Sequence, residues 1–266
     1  MSHYRPWPYP RVIAHRGGGI LAPENTLAGL REGVARGFRG AEFDAMLAAD
    51  GVPVLIHDET LERTTTGAGS VTAHTAAQLA ALDAGRWHSP RFAGERVPTL
   101  EAALRYARAA GLWLNIEIKP AKDRAEPTGL AVGLTVARLY ADLLQPDGDR
   151  ANPAESADAR VPLFSSFQPQ SLAAARAVAP NIPRGLLVSR VPPDWRAQLE
   201  ALGAVALHTN HKNLTAAQAH EVKQAGYWLF CYTVDEPARA RELFDWGVDA
   251  ICTDRIDLID PSLATV

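Results

Sequence analysis

Strand-like runs alternate with helix-like ones along nearly the whole chain, and this alternation limits the fold more than any other feature. Eight runs read as strands: Val12–His15, Ala41–Ala45, Leu112–Ile118, Leu163–Phe167, Gly185–Val188, Val205–His208, Trp228–Val234 and Ala250–Thr253. Helical patterns lie between them, at Thr26–Ala35, Thr99–Ala110, Gln170–Ala179, Asp194–Leu202, Thr215–Ala225 and Asp235–Asp245. Several open on Thr, Asp or Pro, and Gly111, Gly203, Gly226 and Gly247 stand where a helix should stop. Eight strands in repeated β–α units predict a parallel (β/α)8 TIM barrel, with a doubly wound open sheet as the alternative. A chain of 266 residues suits one such domain spanning residues 1–266.

The second strand carries an extra feature. Asp50-Gly51 signals a two-residue β-hairpin turn, so Val52–His57 reads as a returning arm too close in sequence for a crossover helix. Counting outward from Ala49 opposite Val52 sets Asp44 opposite His57, which puts Glu42, Asp44 and His57 on one face. Residues from about 59 to 98, rich in Thr, Gly and aromatic side chains, read as an insertion at the same rim, where a partial lid would sit. The polar stretch Gln145–Arg160 precedes a strand and is expected on the opposite rim, mobile and chemically silent.

Composition narrows the partners. A hydrophobic fraction of 47% with 21% charged residues is that of an ordinary globular protein. A net charge of -3 argues against general nucleic-acid binding, which needs a basic face to displace counterions. Met1–Arg11 has no apolar run of the kind a signal peptide or anchor requires, and no later segment is long enough to span a bilayer. Cys231 and Cys252 have neither metal-ligand nor disulfide spacing and read as small apolar strand residues. The expected location is the cytoplasm, without stable membrane association; the oligomeric state is left open.

In a parallel barrel the C-terminal strand ends and the loops after them build the active site. His15 and Arg16 follow the first strand, Glu42 and Asp44 sit on the second, His57 on its arm, and Glu117 and Lys119 on the third. Each has a bland reading, as a solvated strand face, an ordinary ion pair or a glycine-rich turn. Their joint position at one rim is what independent bland causes would not produce. Three carboxylates without a cysteine cluster suit a hard divalent cation, Mg²⁺ first, with Ca²⁺ and Mn²⁺ as alternatives. Arg16 and Lys119 could neutralise a phosphodiester, and His15 and His57 could exchange protons with nucleophile and leaving group. Asn25 near the metal is a secondary candidate. His208, Asn210 and His211 could line a substrate pocket or bond loop backbone, and among Trp228, Phe230 and Tyr232 one face is expected in the core.

The chain resembles the glycerophosphodiester phosphodiesterases. The resemblance rests on Ala14-His15-Arg16-Gly17 with Pro23-Glu24-Asn25-Thr26, then Glu42-Phe43-Asp44, His57-Asp58, Leu61-Glu62-Arg63-Thr64 and Glu117-Ile118-Lys119. It runs from Trp7 to Asp257 and is closest to the cytosolic bacterial branch associated with glycerol 3-phosphate uptake, through His15–Gly19, Leu82–Gly85, Asn115–Pro120 and Gly247–Asp254. It implies a distorted (β/α)8 barrel with a small inserted subdomain. The implied reaction is hydrolysis of water-soluble glycerophosphodiesters, the small-molecule partner, to glycerol 3-phosphate and an alcohol. His15 and His57 would be the acid/base pair, Glu42, Asp44 and Glu117 the ligands of the divalent ion, and Arg16 and Lys119 the phosphate binders. The longer Gln145–Arg160 stretch departs from that branch.

A phospholipase C- or D-like lyase acting on lipid would keep the same residues, but no apolar rim motif is evident here. An HD-type metallohydrolase would place its ligands on helices, whereas His57-Asp58 ends a strand. A non-catalytic binding barrel would be expected to lack one of the charged positions.

Overall fold

A computed structural model describes residues 6–144 and 159–263. Residues 145–158 of the Gln145–Arg160 stretch therefore lie outside the described part. Nine strands form one closed sheet: β1 (Val12–Ala14), β2 (Gly40–Leu47), β3 (Pro53–Leu55), β4 (Trp113–Ile118), β5 (Leu163–Ser166), β6 (Arg184–Val188), β7 (Ala206–Asn210), β8 (Trp228–Tyr232) and β9 (Ala250–Thr253). All but β3 run parallel, and the ring closes where β1 pairs with β9 through Ile13–Cys252 and with β2 through Ala14–Ala41. This is the (β/α)8 TIM barrel that the alternation predicts.

Helices wrap the outside: α1 (Leu27–Ala35), the four-residue α2 (Ala76–Leu79), α3 (Leu100–Ala110), α4 (Ala125–Leu139), α5 (Pro169–Val178), α6 (Trp195–Leu202), α7 (Ala216–Gln224) and α8 (Pro237–Asp245). Thr26, Thr99 and Thr215 stand just outside α1, α3 and α7, each accepting the amide of the third helical residue, which satisfies a donor the helix itself leaves orphaned. That is why these threonines mark the helix starts in the sequence. Helix α4 is missing from the sequence reading because Pro127, Gly129 and Gly133 break its pattern. The glycines serve packing instead. A Cβ at Gly129 would sit 2.3 Å from the Ser171 carbonyl of α5, so the two helices cross there in near backbone contact.

The hairpin departs from its expected register. Ala45 faces Leu55 and Leu47 faces Pro53, so Asp44 lies opposite Ile56, one residue short of His57. Ala48 bonds across to Val52, leaving a three-residue loop, Ala49-Asp50-Gly51, with Gly51 in the left-handed region at φ 80°. Such a loop uses Asp-Gly differently from a two-residue turn, and one residue of slip turns every side chain over. Ile56 accordingly joins Met46 and Val54 in an apolar cluster that takes in Leu61, Val71, Leu79 and Val97 of residues 59–98. His57 lies beyond the ladder, where strand alternation no longer governs its direction.

Two apolar layers complete the barrel. Phe43, Ile116, Phe164, Leu207 and Leu229 face the helices, while Ile13, Trp113, Leu163, Trp228 and Phe230 fill the interior. Trp7 and Tyr9 close the end where the strands begin, Tyr9 stacking on Trp113 at 4.4 Å and Trp7 edge-on to Trp228 at 5.3 Å. The sequence reading assigns this segment no structural task. A closed end directs ligand access to the opposite rim.

Gly129→Ala should destabilise the fold by about 1–3 kcal/mol, the usual cost of overpacking, while leaving turnover per folded molecule unchanged. Denaturant unfolding measures this, and a variant as stable as the parent would contradict the close crossing.

Candidate active site

The C-terminal rim opens into a cavity of about 460 Å³ lined by His15, Arg16, Glu42, Asp44, His57, Glu117 and Lys119 among others. All seven side chains singled out by the sequence thus converge. His57 arrives by a different route from the expected one, through the turn after β3 and not by facing Asp44 across the hairpin.

Carboxylate oxygens of Glu42, Asp44 and Glu117 lie within 4.8 Å of one another. Asp44 is 1% exposed and Glu42 5%, so water screens their repulsion poorly. Burial and then the Asp44 charge push the Glu42 and Glu117 carboxyls above their usual range. Asp44 goes the other way: burial works against its charge, but Arg16, Lys119, His57 and an Asn25 hydrogen bond outweigh it. Three acids at such spacing could hold a hard cation through oxygen.

Two left-handed backbone positions bring Arg16 and Asn25 against the carboxylates. Arg16 and Asn25 both adopt left-handed conformations, φ 49° and 57°, and the Asn25 amide donates to the Arg16 carbonyl at 3.1 Å. Side chains rarely take this region without compensation. Here Asn25 Nδ2 donates to Asp44 at 2.9 Å, its Oδ1 accepts the Asp44 amide at 3.0 Å, and the Arg16 amide donates to Glu42 at 3.0 Å. The Arg16 guanidinium lies 3.5 Å from Asp44 and 2.8 Å from Glu24. Glycines after Arg16 are needed for this path. Gly19, at φ 52°, passes so close to Asp254 that a Cβ would lie 2.1 Å from its carbonyl oxygen.

The two histidines meet opposite surroundings. His15 Nδ1 donates to Asp254 at 2.7 Å, and its Nε2 faces Glu42 at 3.8 Å. Burial opposes charge on this ring, but the Asp254 hydrogen bond and the Glu42 charge prevail and its pKa is raised. His57 Nδ1 donates to Asp58 at 2.6 Å, leaving Nε2 to accept a hydrogen bond from Lys119 Nζ at 2.7 Å. An acceptor nitrogen is a neutral ring, and burial, with Arg16 and Lys119 nearby, keeps the His57 pKa below its usual value despite Asp44 and Asp58.

Several partners in this network have no role in the sequence reading. Asp254 follows the last residue of β9, so extending the strand-end rule beyond the first three strands would have singled it out. Glu24 receives both Arg16 and Arg63, and Arg63 also grips Asp58, tying residues 59–98 to His57 from behind. Among the described residues, none from 59–98 lines the cavity, so the expected partial lid is a buttress in this structure. His208 and Phe230 stack at 4.5 Å in the cavity floor, with burial driving the His208 pKa down to about 3. Asn210 caps a short turn, His211 contacts Arg239, and the Tyr232 hydroxyl donates to the Val188 carbonyl at the cavity wall.

The sequence profile of the glycerophosphoryl diester phosphodiesterase family matches residues 15–258, which contain every residue just described. The chain belongs to this family. A glycerophosphodiester phosphodiesterase of Caldanaerobacter subterraneus is 35% identical over 244 residues, covering 91% of this chain and 93% of its own. Among solved structures, a phosphodiesterase of Oleispira antarctica in complex with the product sn-glycerol 3-phosphate superposes with a TM-score of 0.83 at 34% identity, covering 96% of each chain. A glycerophosphodiester phosphodiesterase of Agrobacterium tumefaciens gives 0.71 at 27% identity, covering 96% of this chain and 99% of its own. Among the described residues of this family member, no helix is long and apolar enough to cross a membrane.

In the ion-free protein, His15 should titrate above 6.5 and His57 below it, as followed by nuclear magnetic resonance of the ring nitrogens. Asp254→Asn removes the main influence that raises His15, so burial should then take its pKa below 6.5. A His15 pKa unmoved by that change would assign its protonation to another neighbour.

Proposed function

We propose that this chain hydrolyses water-soluble glycerophosphodiesters to sn-glycerol 3-phosphate and an alcohol, with His15 and His57 as the proton-transfer pair. The observation that carries this reading is the pair of histidines with opposite partners on one cavity, His15 between Asp254 and Glu42 and His57 beside Lys119, next to three clustered carboxylates. Environments that drive two titrating groups apart define an acid and a base.

Glu42, Asp44 and Glu117 would hold one divalent cation, with Mg²⁺ first among the candidates, because their crowded oxygens match a hard ion and their repulsion requires one. A bound ion supplies charge neutralisation for the phosphoryl oxygens. Arg16 and Lys119 extend that neutralisation across the other side of the diester, and it strengthens as charge grows in the transition state. Lys119 already lies 3.6 Å from Asp44 and 3.7 Å from Glu117, and phosphate would draw it off His57.

Freed of Lys119, the neutral His57 Nε2 takes the proton of the attacking hydroxyl, whether water or the glycerol 2-hydroxyl. Asp58, fixed by Arg63, supports the charge that His57 then gains. His15, charged between Asp254 and Glu42, gives its Nε2 proton to the departing alkoxide. The cavity is small and combines these charged groups with an aromatic floor and wall, Phe230 below and Phe167 and Tyr232 beside it, a size that fits glycerol better than acyl chains. Since residues 59–98 do not line it, the alcohol should face solvent and head-group selectivity should be weak.

His15→Ala and His57→Ala should each lower kcat by roughly a hundredfold or more, the scale of losing a positioned acid or base, and the double variant should lose far less than the product. A variant that keeps near-parental kcat would make that ring structural. Glycerophosphocholine, glycerophosphoethanolamine and glycerophosphoglycerol should be cleaved with similar kcat/KM, and a detergent-dispersed diacyl phospholipid left intact. Comparable kcat/KM on the diacyl lipid would move the protein to the lipid-cleaving reading.

A further inference from the structure

Glu42 and His15 also belong to a second donor set, completed by Cys252, a residue the proposed reaction does not use. One ligating atom each from His15, Glu42 and Cys252 lies within 4.8 Å of the other two. The set mixes nitrogen, oxygen and sulfur, the ligand types of zinc and its soft relatives, whereas Glu42, Asp44 and Glu117 offer oxygen alone.

Three observations point to a built site. His15 Nδ1 is tied to Asp254 at 2.7 Å, the carboxylate support that fixes the ring of a metal-binding histidine and leaves Nε2 as its ligand atom. That Nε2 stands 3.8 Å from Glu42, too far to bond directly and close to the roughly 3.4 Å edge of a tetrahedron built on bonds of about 2.1 Å. Cys252 is 1% exposed and directed into the barrel, paired with Ile13 across the β1–β9 seam that also carries His15. All three residues line the cavity, from which water or an anion would complete the coordination.

We propose that His15, Glu42 and Cys252 bind a soft divalent cation such as Zn²⁺, Cd²⁺ or Co²⁺, and that this ion inhibits the enzyme. Binding deprotonates the Cys252 thiol and releases that proton to solvent. It also occupies His15 Nε2, the atom that protonates the leaving group, and engages a carboxylate needed for the hard ion. The inhibition rests on the reaction proposed above; the binding does not.

Co²⁺ titrated into chelator-stripped full-length protein tests the binding through the near-ultraviolet thiolate-to-cobalt charge-transfer band. The band should saturate at one ion per chain, persist in Cys231→Ala, and disappear in Cys252→Ala and in the volume-preserving Cys252→Val. It should weaken at least about tenfold in affinity in His15→Ala. Thermal melting of each variant separates lost ligation from lost folding. No band, a band that survives loss of Cys252, or one indifferent to His15 overturns the site. In the turnover assay, Zn²⁺ added over saturating Mg²⁺ should inhibit the parent at concentrations at least about tenfold below those needed for a folded Cys252 variant. Equal sensitivity overturns the inhibition. A protein without phosphodiesterase activity would leave the cobalt band standing, so the two readings fail separately.

Discussion

Three carboxylates forced together at one end of a closed barrel are the constraint to which the rest of the site answers. Like charges within 4.8 Å, two of them nearly dry, would each cost several kcal/mol if left uncompensated. The surrounding chain supplies that compensation. Arg16 and Asn25 accept left-handed backbone to bring a cation and an amide against Asp44. Lys119 spans Asp44 and Glu117, and His15 stands between Glu42 and Asp254. Even so, Glu42 and Glu117 keep raised pKa values, which is the residual demand for positive charge that a divalent ion and a positioned base-rich rim would meet.

The same crowding sets the two histidines in different surroundings. The Asp254 hydrogen bond and the Glu42 charge raise the His15 pKa against its burial, while burial, Arg16 and Lys119 hold that of His57 below its usual value although Asp44 pulls the other way. Identical side chains in such different surroundings are what the proposed acid and base roles require. The supports lie one layer out: Asp254 after β9, and Asp58 with Arg63 and Glu24. Residues 59–98 contribute through Arg63, which braces Asp58 and through it His57.

The barrel was legible because period and punctuation agree from strand to strand, and because Thr26, Thr99 and Thr215 cap the helices they precede. The seven rim residues were legible because strand ends in such a barrel share one rim. What the sequence concealed has specific causes. The hairpin register turned on whether Asp-Gly closes two residues or three, a choice made by Ala49 bonding to His74 and Ala76 to Asp50, both contacts with distant chain. Helix α4 was hidden by glycines that exist for its crossing with α5. Trp7 and Tyr9 plug the barrel through contacts with Trp113 and Trp228, more than a hundred residues away. Cys252 reads as a small apolar strand residue until the seam places it beside His15 and Glu42.

The central claim is that the carboxylate cluster is an ion site on which turnover depends. Calorimetric titration of Mg²⁺ into the chelator-stripped protein, with sn-glycerol 3-phosphate release measured at each occupancy, tests it most directly. One ion should bind per chain, with turnover rising in proportion to occupancy, and both should be lost in Glu117→Gln. Full turnover with no ion bound, or unchanged binding in that variant, would contradict it.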